Sequence, residues 1–321
     1  MKILNTYIAP GESKVLYLDI AKLHTGTNFA VPIIIERGLE DGPVLLLSAG
    51  IHGDETNGVE IVRQLIAHGY NKPERGTVIC IPVINMFGFL NQTRDFPDGR
   101  DLNRLFPGST YGSLASRFAY HILNDIAPHI DYCIDYHTGG AARFNYAQIR
   151  LDINSKDTLE LAKVFGTKFI IDAKDRDKSF REALTKIGKH VLLFEGGKSL
   201  NLDRIVTKIG IQGALRIMHH LNMRNLSKEM TTNSYPIEPP ILVKDSTWLR
   251  AKESGMFRST KKIGSKINKG DVLGTISDPF GQFEVEVKST HDGYIICSNH
   301  SPIVYEGDAV VHITRKTSLD F

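Results

Sequence analysis

Two histidines and two glutamates stand at the ends of apolar runs, where their side chains could meet around one metal ion. His52 and Glu55 lie in "LLLSAGIHGDETNG" (residues 45–58), His137 closes "DYCIDYH" (131–137), and Glu195 follows the apolar run of "HVLLFEGG" (190–197). Imidazole nitrogens and carboxylate oxygens are suitable zinc ligands, and a catalytic zinc takes three from the protein while keeping one position for water. His52, Glu55 and His137 would form such a set, holding one Zn2+ per chain. Glu195, left uncoordinated, would be the general base of metal-assisted hydrolysis. Each residue alone has a plainer explanation. His52 and Glu55 could cap a helix start, and Glu195 could end its strand in a salt bridge. Their common placement favours the site, because ligands of open α/β sheets gather at the carboxyl ends of strands.

Between these motifs runs "NQTRDFPDGRDLNRLFPG" (91–108), which prolines and glycines mark as a loop. It carries Arg94, Asn103 and Arg104. A guanidinium fork matches a carboxylate bidentately, and an arginine beside the metal could polarise a carbonyl and stabilise its oxyanion. Arg100 is better explained by a solvated pair with a neighbouring aspartate.

The elements that must position these residues are legible in the apolar pattern. Residues 44–51 and 77–85 are continuous apolar runs, as expected of strands covered on both faces. Between them Val59, Val62 and Ile66 recur at helical spacing, with Ile61 and Leu65 beside them and Gly69 as C-cap. Further helices are expected over 114–130, near 155–166 and around 201–223, with strands at 131–137, 168–172 and 190–197. This alternation predicts an α/β domain with a parallel or mixed sheet. After the polar, proline-containing stretch 231–240, glycines punctuate short β-type runs to the end of the chain, the pattern of a small all-β sandwich or barrel. Two domains are expected, residues 1–235 and 236–321.

Composition narrows the function classes. The 321 residues are 41% hydrophobic and 23% charged, ordinary for a globular protein. A formal charge of +3, spread along the chain, argues against nucleic acid and membrane surfaces as partners. No stretch approaches the ~18 apolar residues of a membrane span, and the N-terminus does not read as a signal peptide. Cys80, Cys133 and Cys297 are too few and too far apart for a disulfide framework. Reduced thiols in a cytoplasmic protein are expected.

In this order, "GIHGDETNG", "GRDLNRLFPG", "DYHTGG" and "FEGG" resemble the succinylglutamate desuccinylase/aspartoacylase family of zinc-carboxypeptidase-like hydrolases. The resemblance covers most of residues 40–225. It implies a mixed sheet flanked by helices, His52, Glu55 and His137 as zinc ligands, and Glu195 as base. It further implies Asn103 and Arg104 as the grip on a substrate carboxylate and Arg94 as the group polarising the scissile carbonyl. "PIVYEGDAV" resembles the segment carrying a substrate-contacting tyrosine, which points to Tyr305; a tyrosine packed in a β-barrel is the competing reading. Arg150 is given no role. The C-terminal region resembles the lipoyl/biotinyl-carrier sandwich, but its hairpin, "DPFGQ", lacks the modifiable lysine. It is expected to wall the active site or mediate assembly into a homo-oligomer. The implied activity is hydrolysis of the amide of a small anionic N-acyl amino acid. A zinc carboxypeptidase or peptide amidase, and a non-catalytic ligand-binding relative, are the alternatives.

Overall fold

The computed structural model describes residues 1–22, 25–232 and 239–318. Apart from a short hairpin of β1 (Lys2–Ile3) and β2 (Thr6–Tyr7), the chain is organised around one mixed sheet of twelve strands. β3 (Ser13–Lys22) and β4 (Asn28–Arg37) form its antiparallel edge. There follow β5 (Glu40–Ala49), α1 (Thr56–Ala67), β6 (Arg75–Ile81), α2 (Met86–Asn91) and α3 (Leu114–His121). β7 (Tyr132–Gly139), β8 (Arg143–Leu151), α4 (Lys156–Phe165), β9 (Phe169–Asp172), α5 (Phe180–Lys186) and β10 (His190–Lys198) continue the alternation. Two helices, α6 (Arg204–His220) and α7 (Ser227–Thr232), precede the C-terminal strands.

In the middle of the sheet β6, β5, β7 and β10 run parallel, with β8 antiparallel beside β10. The continuous apolar run of β5 has a direct cause: Leu45 and Leu47 belong to the core under α1, α4 and α6, whereas Leu46 faces the core on the α3 side. Helix 114–130 is shorter than its pattern suggests. The α-helix stops at His121, and a π-turn over Ile122–Ile126 and a 3-10 turn over Ala127–His129, which contains Pro128, complete the segment. Similarly, the strand expected over 77–85 ends at Ile81, just before Pro82.

The C-terminal segment begins with β11 (Ile241–Arg250), which pairs parallel with β9 and so extends the main sheet. β12 (Gly255–Ser259), β13 (Lys266–Ile267), β14 (Val272–Ser277) and β15 (Glu284–Lys288) follow. β16 (Gly293–Asn299), β17 (Ile303–Val304) and β18 (Ala309–Ser318) complete the fold. β18, β16 and β13 continue the main sheet outward from β11, while β15, β14, β12 and β17 form a second sheet. Leu249, Phe257, Leu273, Ile276, Val304 and Ile313 fill a core of their own there. β16 also pairs with β8 through Cys297–Asn145 and Ser298–Phe144, which seats the C-terminal strands against the middle of the sheet. Of the polar stretch 231–240, residues 233–238 lie outside the described residues.

Candidate active site

β5 ends at Ala49, and the chain turns into α1 over residues 50–55, which places His52 and Glu55 just beyond the carboxyl end of a central strand. The turn lies tight against α2. A Cβ at Gly53 would fall 1.9 Å from the Gly88 carbonyl carbon, so only glycine fits there. β7 runs beside β5 and delivers His137 to the same end, and in the ladder with β10 Glu195 stands directly opposite His137. Two of the four residues singled out in the sequence, His137 and Glu195, thus come from adjacent parallel strands, and His52 and Glu55 from the turn next to them.

The Glu55 carboxylate joins the two imidazoles. His52 Nδ1 is 2.7 Å from Glu55 Oε1, and His137 Nδ1 is 3.0 Å from Glu55 Oε2, which also accepts the Thr138 N–H. Each imidazole turns its other nitrogen to a second carboxylate, His52 Nε2 to Asp101 Oδ1 at 3.2 Å and His137 Nε2 to Asp135 Oδ2 at 2.8 Å. The Ser48 hydroxyl in turn donates to Asp135 Oδ1 at 2.8 Å. One ligand atom from each of His52, Glu55 and His137 lies within 4.8 Å of the others, and all three residues are buried. Two imidazoles and a carboxylate, with the outer nitrogens held by acids, fit the donor chemistry of a zinc site and of its supporting shell.

Electrostatics agree with a site built for positive charge. Burial pushes the Glu55 carboxyl up, but the charges of His52 and His137 outweigh it and hold the group well below the usual carboxylate range. Burial likewise disfavours the charged imidazoles; at His137 the charges of Asp135 and Glu55 win, and at His52 Glu55 and the Asp101 hydrogen bond win, so both are raised.

The group opens into a cleft of about 690 Å³, within the range of small-molecule sites. Glu195, Arg94, Asn103 and Arg104 all line it. Arg94 donates to Glu55 Oε1 at 3.3 Å and to Asp101 Oδ2 at 2.8 Å, which puts its guanidinium at the edge of the metal-type group. Asn103 is the middle residue of a 3-10 turn, Leu102–Arg104; its backbone N–H is held by Asp101, and its Oδ1 accepts from the Phe180 N–H at 2.8 Å. Arg104 is pulled down by burial and by the like charges of Arg176 and Arg94, with Asp101 opposing. Crowded cations facing a cleft favour an anionic ligand. Arg150 also lines the cleft, with Nε 3.6 Å from Glu195 Oε2, and Asn145 Nδ2 donates to that oxygen at 2.6 Å.

The far wall comes from the C-terminal strands. Trp248 of β11 stacks on His312 of β18 at 4.5 Å between ring centroids, and the Arg143 guanidinium lies 5.7 Å from the Trp248 ring. Tyr305 is not brought here. It is 72% exposed and absent from the cleft lining, because the turn after β17, closed by Asp308 N–H to the Tyr305 carbonyl, carries it to the surface. Asp101, Asp135 and Asn145 went unread in the sequence, although Asp135 stands two residues before His137 in a strand and therefore on its face.

The family model for the succinylglutamate desuccinylase/aspartoacylase catalytic domain matches residues 41–221. An N-alpha-acetyl-L-2,4-diaminobutyric acid deacetylase from Halomonas elongata is 27% identical over 302 residues, 89% of this chain and 85% of the relative. A succinylglutamate desuccinylase/aspartoacylase from Rhodobacter sphaeroides superposes with a TM-score of 0.80 at 23% identity, covering 95% of each chain. The product-bound ectoine utilization protein EutE (DoeB) from Ruegeria pomeroyi gives 0.79 at 20% identity, again over 95% of each chain. The likeness to these structures is one of fold. With the model covering more than half of its residues, and as its four motifs implied, the chain belongs to the succinylglutamate desuccinylase/aspartoacylase family.

Proposed function

We propose that the protein is a zinc-dependent deacylase that hydrolyses the amide of a small, anionic N-acyl amino acid. The observation that carries this reading is the buried His52–Glu55–His137 donor set, which opens into the same cleft as Glu195. In this reading His52, Glu55 and His137 hold one Zn2+, which when bound lowers the pKa of water toward neutrality and polarises an acyl carbonyl. Glu195 takes a proton from the attacking water and passes it to the amine nitrogen as the C–N bond breaks. Arg94 lies where its charge can offset the developing oxyanion, and Asn103 and Arg104 anchor the substrate carboxylate. Tyr305 has no part in it.

The Halomonas relative, named for removing acetyl from N-alpha-acetyl-L-2,4-diaminobutyric acid, makes that compound the first substrate to try. The same proposal takes residues 236–321 as a C-terminal unit of lipoyl/biotinyl-like sandwich type that walls the cleft. Its separate core and the stacked Trp248 and His312 support this. A cytoplasmic location is also proposed; among the described residues no helix is long and apolar enough to cross a membrane. The test is a hydrolysis panel of N-acetyl and N-succinyl amino acids with zinc present, beside a peptide of several residues. Release of free amino acid from the small amides supports the reading. Cleavage of the peptide alone would replace it with a carboxypeptidase.

A further inference from the structure

Two residues of β8 face one oxygen of Glu195, Asn145 in a hydrogen bond and Arg150 at ion-pair distance. In the antiparallel ladder Arg150 stands opposite Leu193, Gln148 opposite Glu195, and Asn145 opposite Gly197. Three residues of β8 therefore span what two residues of β10 span between Glu195 and Gly197, which is a β-bulge. Without the extra residue, Asn145 and Arg150, five apart, would point to opposite faces of the sheet. With it, both reach Glu195. Asn145 Nδ2 donates to Oε2 at 2.6 Å, and Arg150 Nε lies 3.6 Å from the same atom. Arg150 Nε is buried and has no hydrogen-bond partner, so a small closing motion would complete its bond to Oε2. Among the described residues no hydrogen bond reaches Glu195 Oε1. Gln148, directly across the ladder, reaches neither oxygen; its amide atoms are buried without partners.

We infer that Asn145 and Arg150 are positioning residues that divide the work between the two carboxylate oxygens. They fix Oε2, and Oε1 is left as the atom that takes the proton from water and returns it to the departing nitrogen. This rests on the reading of Glu195 as the base. A carboxylate hydrogen-bonded through one oxygen is restrained about its terminal torsion, and with it the position of the other oxygen. Misplacing a reacting group by about 1 Å costs on the order of 10²-fold in rate.

The test is a set of steady-state measurements with zinc-loaded enzyme on the best substrate of the panel. Asn145→Ala and Arg150→Met are each expected to lower kcat about 10- to 100-fold while KM stays within about threefold. Bound zinc per chain should not change. Arg150→Lys, which keeps the charge, should recover part of the loss. The decisive arm is a double-mutant cycle with Glu195→Gln, in which Asn145→Ala and Arg150→Met should cost almost nothing further. Equal losses in both backgrounds, or losses confined to KM, would overturn the clamp and leave the base intact. If Glu195→Gln alone keeps wild-type kcat, the base reading fails instead. Should Asn145→Ala not fold, the Arg150 pair of variants decides.

Discussion

Asp135 Oδ2 lies 2.8 Å from His137 Nε2, on the side of the ring away from Glu55, and the Ser48 hydroxyl holds the other oxygen, Oδ1. This fixes which imidazole nitrogen faces inward: Nδ1 is presented to the Glu55 side and Nε2–H donates to the acid. Outer carboxylates of this kind orient the ring and raise its basicity as a ligand.

Replacing that acid with its near-isostere should therefore weaken metal binding more than it disturbs the fold. Asp135→Asn is expected to lower zinc affinity about 10- to 100-fold, measured by competition with a chromophoric chelator. An unchanged affinity would make Asp135 a structural acid only.

Gly53 offers a test of how the first two ligands are placed. A methyl group there would overlap the Gly88 backbone at 1.9 Å, and backbone cannot swing aside as a flexible side chain can. Gly53→Ala is expected to cost at least about 1–3 kcal/mol of stability and to reduce zinc stoichiometry, read by thermal unfolding and metal analysis. A variant with wild-type melting temperature and zinc content would mean that the turn is looser than its packing implies.

Much of this arrangement was legible in the sequence, and the omissions have physical causes. Strand ends reveal themselves where an apolar run stops at a polar residue, so His52, His137 and Glu195 could be read directly. Asn145 and Arg150 could not, because the bulge in β8 breaks the alternation from which facing is deduced. Tyr305 was expected at the site through a motif resemblance, and the turn over residues 305–308 carries it to the surface instead. The joining of β11 to β9 and of β16 to β8 depends on pairings between distant segments, which no local pattern encodes.

The contrast between Arg104 and Tyr305 gives a third expectation. Arg104 lines the cleft and Tyr305 is exposed outside it. Arg104→Ala is expected to raise KM about 10- to 100-fold, in line with losing a charge-assisted bond to a carboxylate. Tyr305→Phe should leave kcat and KM within about twofold. Steady-state kinetics on one substrate compares the two directly, and a large KM effect at Tyr305 would return it to the site.

His312 supplies a pH dependence of stability. Burial first, and then the charge of Arg150, push its pKa down to about 3. The unfolded imidazole titrates near its ordinary value of about 6.5, so between these limits the unfolded chain binds more protons. Stability therefore falls as the solution is acidified through this window. At pH 5 the contribution is on the order of 2 kcal/mol relative to pH 8. His312→Gln should lose less stability over that interval than the wild type, measured by urea unfolding at the two pH values. Equal losses would place the titration elsewhere.

The central claim, that His52, Glu55 and His137 hold the zinc ion on which amide hydrolysis depends, is tested most directly by metal removal and return. Purified protein is dialysed against a chelator, its zinc content and deacylase rate are measured, and zinc is then added back stepwise. The expected result is loss of activity in proportion to zinc removed, and recovery that saturates at one zinc per chain in the wild type but not in His137→Ala. Full activity in the metal-free protein, or saturable zinc recovery in His137→Ala equal to that of the wild type, would contradict it.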